Sequence, residues 1–171
     1  KNVRRSAKRG VEVREVSFSD DLVRAIVAIN DETPIRQGRR FWHYGKSFEE
    51  VRKDFATHME HSRYLGAFLG NEMIGFIKLV IGDRIARTSG TMANEAHRDK
   101  PVMNLLFANA VTLCAERNIP YLVYGRYNYG NKGEDSLTKF KENSGFKRVD
   151  IPRYFVPLSL RGRIVISLGL H

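Results

Sequence analysis

Cysteine is almost missing from this chain of 171 residues: Cys114 stands alone. A single thiol excludes an internal disulfide and a cysteine-based zinc cluster, and it fits a reducing compartment. No apolar run reaches the roughly 18 residues that a spanning helix needs. Residues 1–10 lack the apolar stretch of a secretory signal, so a cytoplasmic location is expected. The chain does not begin with Met, which suggests a processed or excised piece of something longer. Internal repeats, linkers and low-complexity blocks are also missing. The expected partition is a basic arm, residues 1–10, followed by one domain, residues 11–171. Acidic residues are scarce: 19 Asp and Glu stand against 29 Lys and Arg, a net charge of +10. Such a surface attracts polyanions, whether nucleic acid, anionic lipid or a phosphorylated cofactor. Lys1, Arg4, Arg5, Lys8 and Arg9 carry part of the excess in a tail read as solvated.

What is present is a clear alternation of periods. Val11 to Ser17 alternates apolar and polar residues, the pattern of a half-buried strand. Ser19 or Asp20 caps a helix to about Asn30, with Leu22, Ile26 and Ile29 on one face. Ser47 and Glu50 form a capping box for a second helix whose stripe is Phe48, Val51, Phe55 and Met59. Two strand-like runs flank Gly70-Asn71, a two-residue turn that pairs Leu69 with Glu72 and sets Gly66 opposite Gly75. The second run is apolar nearly throughout except at Lys78, as in a strand covered on both faces. Arg84 to Met92 is a third, antiparallel strand. Pro101 opens a long helix, with Met103, Leu106, Phe107, Ala110, Val111 and Cys114 at steps of three and four; Cys114 is a core residue there. A short strand at YLVYG completes a strand–helix–strand crossover. Asp135 or Ser136 starts a short helix that Gly145 stops. Phe146–Val149, Tyr154–Leu158 and Ile164–Leu168 are read as closing strands.

In this order, three stretches resemble the GNAT acyltransferase superfamily, and IRQGRRFWHYG (35–45) and YLVYGRYNYGNK (121–132) resemble a divergent bacterial branch of it. GAFLGNEMIGFIKL (66–79) is similar to the family's central hairpin. Thr91 to Asn118 is similar to its fourth strand and pyrophosphate-side helix, and SLTKFKENSGFKRV (136–149) to its late helix. The resemblance implies an α/β (α+β) fold: a mixed, mostly antiparallel sheet flanked by helices on both faces. It implies an N-acyltransferase, most simply one that moves an acetyl group from acetyl-CoA to an amine by direct attack. One departure stands out. The family's glycine-rich pyrophosphate loop is replaced by HRDKPVMN (97–104), where Pro101 also removes an amide donor.

Several residues follow from the resemblance as site candidates. Glu95, after the fourth strand, is a candidate general base, and Tyr127 or Tyr129 a candidate acid for the departing thiolate. His97, Arg98, Lys100 and Val102 at the long helix, with Asn131 and Lys132, are candidate cofactor contacts. Arg39, Arg40, Trp42 and Tyr44 belong to an aromatic, cationic loop (with Arg36, Phe41 and His43) that would border the acceptor; Arg126 joins them. No metal is expected. The acceptor is a small-molecule or protein amine. The basic charge also suits two alternatives: a non-catalytic module binding RNA or protein, or a transferase using aminoacyl-tRNA.

Overall fold

The structure, a computed structural model, describes residues 2–36, 38–97, 99–127, 136–152 and 154–169. They fall into two compact units, Lys1–Asn131 and Lys132–His171. In the first unit the elements are α1 (Asn2–Lys8), β1 (Val11–Val16), α2 (Asp20–Asn30), a small hairpin of β2 (Ile35–Arg36) and β3 (Arg39–Arg40), α3 (Phe48–Phe55), β4 (Ser62–Leu69), β5 (Glu72–Ile81), β6 (Ile85–Ala93), α4 (Val102–Glu116) and β7 (Tyr121–Val123). Five strands make one sheet in the order β1-β4-β5-β6-β7. Every pair is antiparallel except β6 and β7, which the α4 crossover makes parallel.

Local chemistry explains the helix starts. Ser19 caps α2 by accepting from the Leu22 amide. Ser47 and Glu50 form the reciprocal capping box on α3, which holds the Glu50 carboxyl below its usual range because the Ser47 amide and hydroxyl both donate to it. Helix α4 ends in a Schellman motif: Asn118 takes φ 55°, Ile119 N donates to Cys114 O at 2.8 Å, and Ile119 packs on Cys114. Burial raises the Cys114 thiol, as expected of an inert core residue.

The sheet is covered on both faces. Helices α2 and α3 bury Leu22, Val23, Ile26, Val51 and Phe55 against Tyr64 and Phe76. On the opposite face α4 lies so close to β5 that a Cβ on Gly75 would sit 2.8 Å from Val102. The α4 stripe is rotated from the expected one. Val102, Leu105 and Leu113 join Leu106, Phe107, Ala110 and Cys114 inside, whereas Val111 is 54% exposed. The Gly70-Asn71 turn holds, with φ +60° at Gly70 and Leu69 opposite Glu72. A bulge at Ile74 then shifts the ladder, so Gly66 faces Phe76 rather than Gly75. The basic tail is not a solvated arm over its whole length: Asn2–Lys8 is helical, Ser6 is buried, and Arg9 pairs with the Asp99 carboxylate.

The second unit holds α5 (Ser136–Asn143) and α6 (Leu160–Ser167). Gly145, at φ +83°, stops α5 as expected, and Phe146 N donates back to Lys141 O at 3.0 Å. The closing strands are not found. Residues 146–152 and 154–158 form no strand, and Ile164 lies within α6. The reason is a misread period: Ser159 is an N-cap accepting from Gly162 N, and Leu160, Ile164 and Leu168 recur every four residues. No helix among the described residues is long and apolar enough to cross a membrane.

Candidate active site

The site begins where two strands part. β7 pairs with β6 only at Ile85, Ala86 and Arg87, ending at Val123. The Thr88 hydroxyl reaches Val123 O at 3.4 Å, and β6 continues to Ala93 against β5 alone. The parting coincides with a bulge. Lys78 pairs with Gly90 and Leu79 with Thr88, leaving Ser89 as the extra residue, and a bulged strand bends. Beyond the bulge, Asn94 N donates to Ile74 O at 2.8 Å, which fixes the alternation of the ladder. The amide and carbonyl groups of Thr91 and Ala93 therefore face the side that β7 has left.

The exit of β6 is held by a compact ion network. The Arg36 guanidinium donates to Ala93 O at 3.1 Å and to the Glu32 carboxylate at 3.2 Å. Glu32 in turn accepts from the Glu95 and Ala96 amides, both at 2.6 Å, and so caps the short 3-10 turn Glu95–His97. Glu95, the expected base, is half-buried in that turn.

On the α2–α3 face, residues 89–92 of β6 line a cavity of about 270 Å³ together with Asn30, Trp42, His43, Lys46, Asp54, Phe55, Phe76 and Lys78. Lys78 is 1% exposed, and its ammonium donates to Phe55 O (2.8 Å), Thr57 O (2.7 Å) and Thr57 Oγ1 (2.9 Å). It caps the carboxyl end of α3, where a cation suits the helix dipole, while burial lowers its pKa. Lys46 pairs with Asp54 at 2.7 Å and lies 4.3 Å from the Trp42 ring centroid. The His43 ring stacks on Trp42 with centroids 3.7 Å apart. Burial lowers the His43 pKa, helped by the Lys46 and Arg36 charges and opposed by Asp54.

The start of α4 is poor in amide donors. Pro101 has none, Val102 N is turned onto Lys100 O at 2.7 Å, and Asn104 N donates to Pro101 O at 3.1 Å. Val102 itself is buried over Gly75. Lys100 lies 3.4 Å from His97 Nδ1 and 3.3 Å from the Asp99 carboxylate.

The remaining sequence candidates are placed as follows. Trp42 is at the cavity, with 70% of its surface exposed, whereas Arg39, Arg40 and Tyr44 are exposed and do not line it. Tyr127 is half-buried and Arg126 exposed beyond β7. Arg98, Tyr129, Asn131 and Lys132 lie outside the described residues. Asn30, Asp54 and Lys78 were missed as cavity residues; the solitary lysine in an apolar strand was the one signal the sequence offered. Among the described residues no group of three His, Cys, Asp or Glu could hold a metal ion.

Neither a protein-family profile nor a curated protein matches the sequence. Solved structures do match in fold. The PaiA N-acetyltransferase from Thermoplasma acidophilum, in complex with coenzyme A, is 18% identical at TM-score 0.62, covering 82% of this chain and 93% of its own. The ribosomal-protein-alanine N-acetyltransferase from Brucella melitensis biovar Abortus 2308 is 12% identical at TM-score 0.60, over 87% and 99%. AAC(6')-Iy, in complex with the bisubstrate analog CoA-S-monomethyl-acetylneamine, is 12% identical at TM-score 0.58, over 85% and 97%. The fold of this chain is that of the GNAT acetyltransferases.

Proposed function

We propose that the protein is an N-acetyltransferase that carries an acetyl group from acetyl-CoA to a small-molecule amine. The observation that carries this reading is the parting of β6 from β7 just after Arg87 and Val123, beside a cavity on the acceptor face. Neighbours of the same fold that were solved with coenzyme A or a CoA-based analog support the donor.

The residues fit such a donor, with one change in how its phosphates would be held. Thr91 and the Ala93 amide would pair with the amides of an extended pantetheine arm, much as an added strand pairs with a sheet edge. His97, Arg98 and Lys100 would hold the diphosphate by charge, since at the start of α4 Pro101 lacks an amide and those of Val102 and Asn104 are engaged. Asn131 and Lys132 are further candidates for that end. Bound acetyl-CoA supplies a thioester carbonyl as the electrophile. The Glu32–Arg36 network holds the turn next to it, and Tyr127 or Tyr129 would return a proton to the thiolate. Trp42 would border the acceptor, and Arg39, Arg40, Tyr44 and Arg126 would meet only an acceptor that extends beyond the cavity.

Calorimetry with acetyl-CoA tests the reading. Micromolar binding is expected, with a rise in melting temperature, since ligand at a hundredfold excess over Kd adds about 2.7 kcal/mol. No heat at millimolar ligand would remove it.

A further inference from the structure

We propose that His43 takes the proton of the attacking amine, and that its cavity accepts a compact primary amine carrying a hydrogen-bond-accepting oxygen. This rests on the acetyltransferase reading above and goes beyond it, because that reading names neither the base nor the acceptor.

The first part follows by elimination among the titratable groups of the cavity. Asp54 is held by Lys46 in an ion pair at 2.7 Å. The three protons of Lys78 are all directed at Phe55 and Thr57. Arg36, just outside, is engaged by Glu32 and Ala93 O. His43 differs. Its ring is pinned by Trp42 and lies 5.3 Å from Phe41, yet among the described residues it makes no hydrogen bond. Burial and the Lys46 and Arg36 charges, opposed by Asp54, favour the neutral ring, the form that can accept a proton. Glu95 is not among the cavity residues.

The second part rests on Asn30 and on volume. Asn30 closes α2, is 2% exposed, and lines the cavity, and its Nδ2 meets no acceptor among the described residues. A buried donor without a partner is costly, and a ligand oxygen would satisfy it. The cavity, about 270 Å³, holds on the order of nine waters at about 30 Å³ each. That accommodates roughly ten non-hydrogen atoms of an amine acceptor.

The step balances without a further reagent. The ammonium form of the acceptor gives a proton to the His43 ring, and its nitrogen lone pair attacks the thioester carbonyl carbon. The C–N bond forms and the C–S bond breaks. The second nitrogen proton is lost as the amide forms, and the thiolate leaves and takes up one proton, giving amide and free thiol.

The test is steady-state acetylation of short primary amines with and without an oxygen (amino alcohols and amino acids against n-alkylamines). It compares wild type, His43→Gln, His43→Ala and Asn30→Leu from about pH 5.5 to about pH 9. His43→Gln should lower kcat about 10²- to 10³-fold, leave the KM for acetyl-CoA unchanged and abolish the fall of kcat/KM at low pH. Imidazole in the buffer should restore part of the His43→Ala activity, which a merely stacking residue would not allow. Asn30→Leu should raise KM about tenfold for the oxygen-bearing amines and leave that of the alkylamines in place. The His43 Cε1–H resonance, assigned by its loss in His43→Gln, should titrate below 6.5 and move when amine is added. A His43→Gln enzyme within threefold or so of wild type, a persisting acid limb, or a resonance that ignores amine overturns the assignment. If wild type binds acetyl-CoA but acetylates nothing in the panel, the acceptor assignment falls and the donor reading stands. If acetyl-CoA does not bind, both fall.

Discussion

Lys78 offers the sharpest test of how the α2–α3 face of the sheet is held together. Lys78→Met removes a buried ammonium and its three hydrogen bonds. Charge-assisted bonds contribute about 1.5–3 kcal/mol each, but burying an ammonium costs several kcal/mol. The decisive point is what is left behind. Phe55 O still accepts from the Tyr64 hydroxyl at 2.6 Å, and the single Ser62 hydroxyl proton, which lies between His58 O at 2.8 Å and Thr57 O at 3.1 Å, can turn to Thr57 O while His58 O keeps the His61 amide. No carbonyl is orphaned, so Lys78→Met should lie within about 1 kcal/mol of wild type. Tyr64→Phe alone should cost about 1 kcal/mol, because Lys78 remains on Phe55 O. The double variant strips Phe55 O of both donors, so its loss should exceed the sum of the single losses by about 1–2 kcal/mol. Urea denaturation of the four proteins measures this. Additivity within about 0.5 kcal/mol would refute the shared-acceptor argument. The pH dependence has a definite sign. Burial depresses the Lys78 pKa in the folded state below 10.5, so between the two values the unfolded chain binds more protons. Wild type should therefore gain stability relative to Lys78→Met as the pH rises through that window.

Other outcomes follow from the same geometry. Glu32→Ala leaves the Glu95 and Ala96 amides and Arg36 without their common acceptor; a loss of about 2–3 kcal/mol in denaturant titration is expected, with weaker acetyl-CoA binding by calorimetry. Gly90→Ala places a Cβ 2.8 Å from Phe55, which should cost about 1–3 kcal/mol, and adding Phe55→Leu should recover part of it in the same melting assay. Ser47→Ala removes the α3 cap and should lower stability by about 1 kcal/mol. Tyr127→Phe and Tyr129→Phe, compared by steady-state kinetics, should identify the thiolate's acid as the one whose loss lowers kcat about tenfold or more at unchanged KM.

Features written in a few adjacent residues were legible from the sequence. The Ser47–Glu50 box, the Gly70-Asn71 turn and the Gly145 stop each depend on local backbone chemistry that the residue types declare. The bulges at Ile74 and Ser89 have no such code, because an extra residue is visible only against the partner strand. The cavity is still less readable: Asn30, His43, Asp54 and Lys78 come from four different elements, and only tertiary packing unites them. The false closing strands show the opposite failure. The apolar residues of 146–149 and 154–158 were enough to suggest two strands, but composition does not supply a partner, and Pro152 and Pro157 remove two ladder donors.

Ser89 is worth following one step further. Deleting it would leave Lys78 paired with Gly90 and Leu79 with Thr88, now in an uninterrupted ribbon. Such a protein should fold and melt much like its parent. Its straightened sixth strand, however, would lie flush along the seventh and close the gap between them. One residue of length would then decide whether that gap exists at all.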